Sequence, residues 1–438
     1  MFFYCGRSPE INNVRLVKRR TSQMIVVFVT GVLLAANVEA QHRVPLTLAE
    51  AEDLALAAEP GQLAMQAKAA ALEARAVVAG ELPDPMLRLG LNNFPIESGG
   101  FRTEGMTNAA IGLRQAFPAG KTRSFSARQF DFLAAEMIEN AEARSRNVLA
   151  AVRTSWLDFY YWDRAHELVA ESRPFFDDLA AVTRSLYAVG RKSQQDVLRA
   201  ELELSRLQDR LIEIERQRSR AQAALGEWVG GDAMRPIALK LPGWDRLPSL
   251  EFLHEALPEH PALRAADAQI EARRAGVELA NERSKPGWAV DLGYSYREGM
   301  LPSGESRSDF ISLGVTVDLP FFRKKSVDST LSAALQERSA AKSVREQTWR
   351  SLQSQLATAH ARWHDLTRRL SLYETRILDQ AKDNAEASML AYQSDRGDFA
   401  DVMRAYIDDL NTRIEHIRLQ VERAQSYAVL ANLGGLPR

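Results

Sequence analysis

The chain repeats one plan twice at a nearly constant offset. Pro60 and Pro261 are 201 residues apart, Pro118 and Pro320 are 202 apart, and Tyr187 and Tyr392 are 205 apart. Asp196 and Asp401 also stand 205 apart, within Asp196-Val197-Leu198-Arg199-Ala200 and Asp401-Val402-Met403-Arg404-Ala405. A constant offset over this much chain marks a duplication, so the fold must house the same unit twice. The domain reading follows: residues 1–40 precede the repeats, 41–230 form the first, 231–248 are a linker rich in proline and glycine, and 249–438 form the second.

Each unit opens with a short helical stretch and a break, at Glu59-Pro60-Gly61 in the first and Glu259-His260-Pro261 in the second. Two strands are expected next. In 288–296, Trp288, Val290, Leu292, Tyr294 and Tyr296 share one face, and Ala289, Asp291, Gly293 and Ser295 the other. In 310–319, Ile311, Leu313, Val315, Val317 and Leu319 oppose Ser312, Gly314, Thr316 and Asp318. The first repeat offers 86–92, with Leu87, Leu89 and Leu91 on one face, and 108–117, with Ile111, Leu113 and Phe117 opposing Ala110, Gly112 and Arg114. Period-two alternation of this kind is the strand signature. The longer runs have the length a tilted strand needs to cross a bilayer, about 9–11 residues.

Long helices follow each strand pair. From Thr122 to Leu225 the only breakers are Pro174 and Gly190. Between Pro320 and Pro437 there is no proline, and Gly397 is the only glycine before Gly434. Leu352, Leu356, Ala359, Trp363, Leu366, Leu370, Tyr373 and Ile377 step by fours and threes, as do Met403, Ile407, Leu410, Ile414, Ile417, Val421, Ala424 and Ala428. Such seams pack knobs into holes. The stretch from Phe321 to Gln393 gives a rod of roughly 100 Å at about 1.5 Å per residue. Gly190 and Gly397 are then hairpin tips, with return helices from Asp196 and Asp401.

The N-terminus reads as an export signal. Arg15, Lys18, Arg19 and Arg20 precede an apolar run from Met24 to Ala36, and Val38-Glu39-Ala40 supplies small residues for cleavage between Ala40 and Gln41. The one cysteine, Cys5, falls in the removed part, so the mature chain uses neither disulfides nor thiol chemistry. No apolar run beyond Ala40 approaches the length of a membrane-spanning helix. A net charge of −1 gives no reason to expect a nucleic-acid partner. An exported chain of this kind is periplasmic, secreted, or part of an outer-membrane β-barrel.

Four strands cannot close a barrel, since single-chain transmembrane barrels start at about eight. Open edges in hydrocarbon leave backbone groups unsatisfied, so strands placed in a membrane require several chains to close one barrel. Two chains would supply eight strands and three would supply twelve. The export signal, the duplicated strand-pair-plus-long-helix plan, and the tips Tyr187-Ala188-Val189-Gly190-Arg191 and Tyr392-Gln393-Ser394-Asp395-Arg396-Gly397 resemble the TolC family of outer-membrane efflux factors. The resemblance covers essentially the whole mature chain. It implies an α+β membrane channel in the outer membrane: a homotrimer with a shared twelve-stranded barrel continuing into a helical tunnel across the periplasm. It implies as partners outer-membrane lipid, a periplasmic adaptor and an inner-membrane pump of the RND type. Leu82-Pro83-Asp84-Pro85-Met86, Asn92-Asn93-Phe94-Pro95 and Met106 to Pro118 resemble the metal-cation (Czc and Cus) members, which implies heavy-metal cations as cargo. Drug or protein export by the same fold, and an exported coiled coil without a pore, are the alternatives.

No enzymatic chemistry and no cofactor is expected. In the family, acidic side chains near the second tip narrow the periplasmic entrance. Asp401 matches the first such position, Arg404 departs from the second, and Asp395 and Asp398 lie beside them. The tips, Gly190, Arg191, Lys192 and Ser193 in one hairpin and Arg396 and Gly397 in the other, are the expected adaptor contacts. His360 and His364 have the four-residue spacing of a two-histidine metal site on a helix. No Glu follows His360 directly and no third ligand is evident, so metal binding is not expected there, and a periplasmic metalloenzyme is the remaining rival.

Overall fold

The computed structural model describes residues 44–57, 59–394, 396–434 and 436. The export signal and its cleavage site at Ala40 and Gln41 lie outside the described residues, as does Asp395. In chain order the elements are α1 (Leu48–Ala57), α2 (Pro60–Gly80), β1 (Met86–Asn92), β2 (Asn108–Phe117), α3 (Thr122–Ala188), α4 (Gln194–Val229), α5 (Leu250–Ala256), α6 (Pro261–Glu282), β3 (Trp288–Tyr296), β4 (Phe310–Val317), α7 (Lys324–Leu372), α8 (Leu378–Gln393) and α9 (Phe399–Gly434). No described helix is long and apolar enough to cross a membrane.

The strand expectations match these bounds, except that β4 ends at Val317 rather than Leu319. The backbone N–H of Asp318 leaves the ladder and donates to the Gly287 carbonyl at 2.8 Å, and Pro320 follows. Pro174, expected to break the long helix, lies inside α3. A proline there forfeits one helical hydrogen bond. The next turns compensate by burying Phe176, Leu179 and Ala180.

Two compact units divide the chain. One comprises the segment ending at Ala51 together with Asp158–Pro242. Here the end of α3 runs antiparallel to α4, with Arg218 Nε at 2.6 Å from Asp163 Oδ1 and Arg184 Nε at 3.4 Å from Glu201 Oε1. Leu46 pairs with Ile237 as an isolated parallel bridge, and Arg235 donates to Glu50 and to the Val44 carbonyl, which ties down the segment before α1.

The other unit comprises Glu52–Leu157 and the chain from Gly243 onward, and it holds the whole sheet. Its strands lie in the order β1-β2-β3-β4, all antiparallel, so the two repeats meet at the β2–β3 pair. The repeats also share a helix start. Glu59 and His260 each cap a helix whose first residue is proline, Glu59 accepting from the Gln62 N–H and His260 Nδ1 from the Ala262 N–H at 3.2 Å. The residue equivalent to Glu59 is therefore His260, not Glu259. A proline at the first helical position loses nothing, because its N–H would have had no helical partner.

The α7 seam packs as its heptads predict: Leu352, Leu356, Ala359, Trp363, Leu366 and Leu370 are buried. Leu356 and Trp363 join Leu253 and Leu257 of the α5 region and Leu430 and Leu433 of α9 in one core cluster. Tyr373 and Ile377, expected to continue the seam, are only half-buried. The turn Tyr373–Ile377 is π-helical, and its wider winding rotates the stripe off the core. In α9 the seam holds except at Ile407 and Ile417, which are half-buried, while Leu419 is buried. A fully buried pair, Arg153 Nε to Glu52 Oε1 at 2.6 Å, lies under Trp244, which stacks on Tyr427 at 4.9 Å.

Candidate pore wall and helix tips

The register of the sheet decides what it can face. Residues directly opposite across an antiparallel pair project to the same side. Leu89 pairs with Ile111, Ile111 with Tyr294 and Tyr294 with Ile311; Leu87 pairs with Leu113, Leu113 with Leu292 and Leu292 with Leu313. The apolar faces of all four strands therefore merge into one surface, and it is exposed, Leu313 retaining 74% of its accessible area. Aliphatic residues fill the middle. Phe117 and Trp288 stack at 4.2 Å at one end, and Tyr294 and Tyr296 stand at the other. An apolar band with aromatic residues at both margins is the pattern of a lipid-facing barrel wall. From Trp288 to Tyr296 the strand spans about 27 Å at about 3.4 Å per residue, which matches a band about 25 Å tall.

The opposite face is mostly small or polar, with Met86, opposite Arg114, and Phe310, opposite Ser295, also lying on it. It carries Arg88, Gly90, Ala110, Gly112, Arg114, Asp291, Gly293, Ser312, Gly314 and Thr316. Arg114 approaches Asp291 at 3.7 Å, and the Thr316 hydroxyl donates to Asp291 at 3.1 Å. Sequence reading placed Arg114 and Asp291 on the polar faces of their strands but did not pair them. Their union depends on a register that only the assembled sheet defines. Both outer strands have one neighbour each among the described residues, so β1 and β4 present open edges.

The two helix tips are built differently. In the first, α3 ends as Gly190 takes φ +76, its N–H donating to the Tyr187 carbonyl and the Arg191 N–H to Leu186, both at 2.9 Å. Ser193 then starts α4 with a capping box: its hydroxyl accepts from the Asp196 N–H, and the Asp196 carboxylate accepts from the Ser193 N–H, each at 3.3 Å. Gly190, Arg191 and Ser193 are exposed and Lys192 is half-buried; Tyr187 and Val189 lie exposed beside them. In the second tip Gly397 has an ordinary φ. It is required for space, since a Cβ there would lie 3.1 Å from Ala391 Cβ and 3.2 Å from Tyr392 N. Buried Tyr392 and Phe399 close this tip at 5.8 Å between ring centroids, whereas their first-repeat counterparts are the exposed Tyr187 and Gln194. Arg396 and Asp398 are exposed, and the Asp398 carbonyl accepts from the Asp401 N–H at 3.1 Å.

Asp401 and Arg404 meet within one turn of α9, Arg404 Nη1 donating to Asp401 Oδ1 at 3.0 Å. Their side chains are 61% and 69% exposed, and such a pair holds its geometry weakly. His360 and His364 also meet, Nε2 to Nε2, at 3.3 Å. Burial, then the neighbouring His364 and His254, hold His360 below the usual histidine range. Among the described residues no group of three or more His, Cys, Asp or Glu is placed to hold a metal ion.

Residues 252–436 match the family model described as outer membrane efflux protein. Protein CyaE of Bordetella pertussis (strain Tohama I) is 27% identical over 411 residues, covering 90% of this chain and 85% of that protein. A solved membrane protein from Pseudomonas aeruginosa superposes with a TM-score of 0.76 at 17% identity, covering 88% of this chain and 92% of that one. The transmembrane channel CusC superposes with a TM-score of 0.73 at 15% identity, covering 89% and 93%. Together these support the outer membrane efflux protein family. The family-model match falls in the second repeat, and the matched relative and the solved structures span both repeats. The four-stranded sheet and long helical hairpins are the channel fold that the duplicated plan predicts.

Proposed function

We propose that the chain is the outer-membrane channel subunit of a tripartite efflux system. One observation carries this reading: the sheet exposes a continuous apolar band, backed by a mostly small or polar face and bounded by two open edges. An exposed apolar surface of that extent needs lipid, and open edges in lipid need partner strands. Joining β4 of one copy to β1 of the next in a homotrimer closes twelve strands, with Arg114 and Asp291 facing the lumen. The long helices continue the conduit through the periplasm.

Asp401 and Arg404, with Asp398 and Asp395 shortly before them in the sequence, form the periplasmic gate. Their exposed ion pair is weak enough for a docking partner to displace. Gly190, Arg191, Lys192 and Ser193 of the first tip and Arg396 and Gly397 of the second receive the adaptor. The uncovered Tyr187 and Val189 beside Arg191 give that contact an apolar centre with a charged rim. An inner-membrane pump of the RND type supplies cargo, which we assign to heavy-metal cations because Leu82 to Met86, Asn92 to Pro95 and Met106 to Pro118 resemble the cation-efflux members.

The deciding experiment is growth of a deletion strain across divalent metals, dyes and antibiotics, with the protein followed through membrane fractionation. Sensitivity to metals alone supports the cargo assignment. Sensitivity to dyes and antibiotics moves the cargo to drug export and leaves the channel standing. A product soluble without detergent overturns the channel itself.

A further inference from the structure

His360 and His364 stand on successive turns of α7 with their Nε2 atoms 3.3 Å apart, closer than the 4.5 Å between their ring centroids, so the two nitrogen corners converge. A tetrahedral ion with metal–nitrogen bonds of about 2.05 Å requires two ligand nitrogens about 3.3 Å apart, the separation observed. The ring of His364 is braced at 90° against Trp363, at 5.1 Å, and Trp363 is buried in the core cluster with Leu356 and Ala359. The chelating geometry is thus held by the packed seam rather than left to two free side chains. His364 is exposed and His360 half-buried, so an ion can reach both from solvent.

We propose that His360 and His364 form a two-histidine binding site for one first-row divalent cation, of the kind imidazole prefers: Zn²⁺, Ni²⁺ or Cu²⁺. Water completes the coordination, because among the described residues no group of three or more His, Cys, Asp or Glu is placed to hold a metal ion. A site with only two protein ligands exchanges its ion readily. The bound cation bridges two turns of α7 just before the π-helical turn Tyr373–Ile377, and stiffens the helix there. This site does not depend on what the channel exports; a channel that carries no metal retains it.

The test uses full-length channel purified from outer membranes without a polyhistidine tag and titrated calorimetrically with ZnCl₂ and, separately, NiCl₂. One cation per chain is expected. His360→Ala and His364→Ala should each weaken binding by about tenfold or more, and the double variant, left with neither imidazole, should show no binding at this site. His166→Ala serves as a control and should leave binding unchanged, and oligomers on gels show that each variant still assembles. Absence of binding in the parent, or binding that survives in the assembled double variant, overturns the proposal. Loss of this site with metal resistance intact in cells would leave the site established and separate it from export.

Discussion

The carboxylate of Glu282 accepts a hydrogen bond from the backbone N–H of Lys121 at 2.7 Å. The last residue of α6, in the second repeat, thereby fixes the start of α3, in the first, where the chain leaves the sheet. The Lys285 ammonium donates to the same carboxylate at 2.6 Å, and these two donors hold the Glu282 carboxyl below its ordinary range.

Gly120 makes that seat possible. It takes φ +46, and a Cβ there would come within 1.9 Å of Glu282 Oε2. Gly120→Ala should destabilise the protein by about 3 kcal/mol, part from left-handed backbone strain and part from the displaced carboxylate. Glu282→Ala removes the second part alone. In a double-mutant cycle read by thermal unfolding, the two losses should overlap by about 1 kcal/mol or more. Strict additivity would show that Gly120 and Glu282 act separately.

His260 makes stability depend on pH. Its Nδ1 must be unprotonated to cap α6, its Nε2 is buried with no hydrogen-bond partner, and burial followed by repulsion from Arg146 lowers its pKa to about 4. A histidine lowered on folding binds its proton more readily when unfolded, so protonation favours unfolding. The associated stability is complete above the ordinary value of 6.5 and is lost as pH falls towards 4. The loss is at most about 3 kcal/mol. His260→Asn keeps a capping acceptor but does not titrate. Melting temperatures of parent and variant should diverge between those limits, and parallel profiles would refute the assignment.

Asp401→Ala with Arg404→Ala should barely change stability, because an exposed pair contributes about 1 kcal/mol or less. Leak is expected to change instead. Single-channel conductance at rest should rise, as should sensitivity to antibiotics too large for the closed pore. Unaltered conductance and sensitivity would remove the pair from the gate.

Arg191→Glu should abolish efflux with assembly intact. The residue lies at an exposed turn, where substitutions change stability by about 0.5 kcal/mol or less. Resistance in cells and oligomers on gels read the two effects apart. Full resistance would move the adaptor contact away from this tip.

Strand and helix order were legible in the sequence because period two and the heptad step are written residue by residue. Val290, Leu292 and Tyr294 announce a face without any knowledge of their neighbours. Pairings were less legible. Arg114 finds Asp291, and Glu282 finds Lys121, through contacts across more than a hundred residues of chain. The breaker rule failed at Pro174, where downstream core packing outweighs a lost hydrogen bond. It also missed the π-helical turn at Tyr373–Ile377, which contains neither glycine nor proline. His260 could have been found from the offset alone, since it stands 201 residues beyond Glu59, in the capping position before a proline.

The open edges of β1 and β4 bear on inheritance as well as on architecture. In the proposed assembly the wall is completed only by other copies, so no channel belongs to a single chain. In a cell producing normal and defective subunits in equal amounts, most assembled pores would include a defective member. A variant altered at the gate or tips, yet still able to join edges, should therefore act as a dominant poison. A variant unable to join them should be silent.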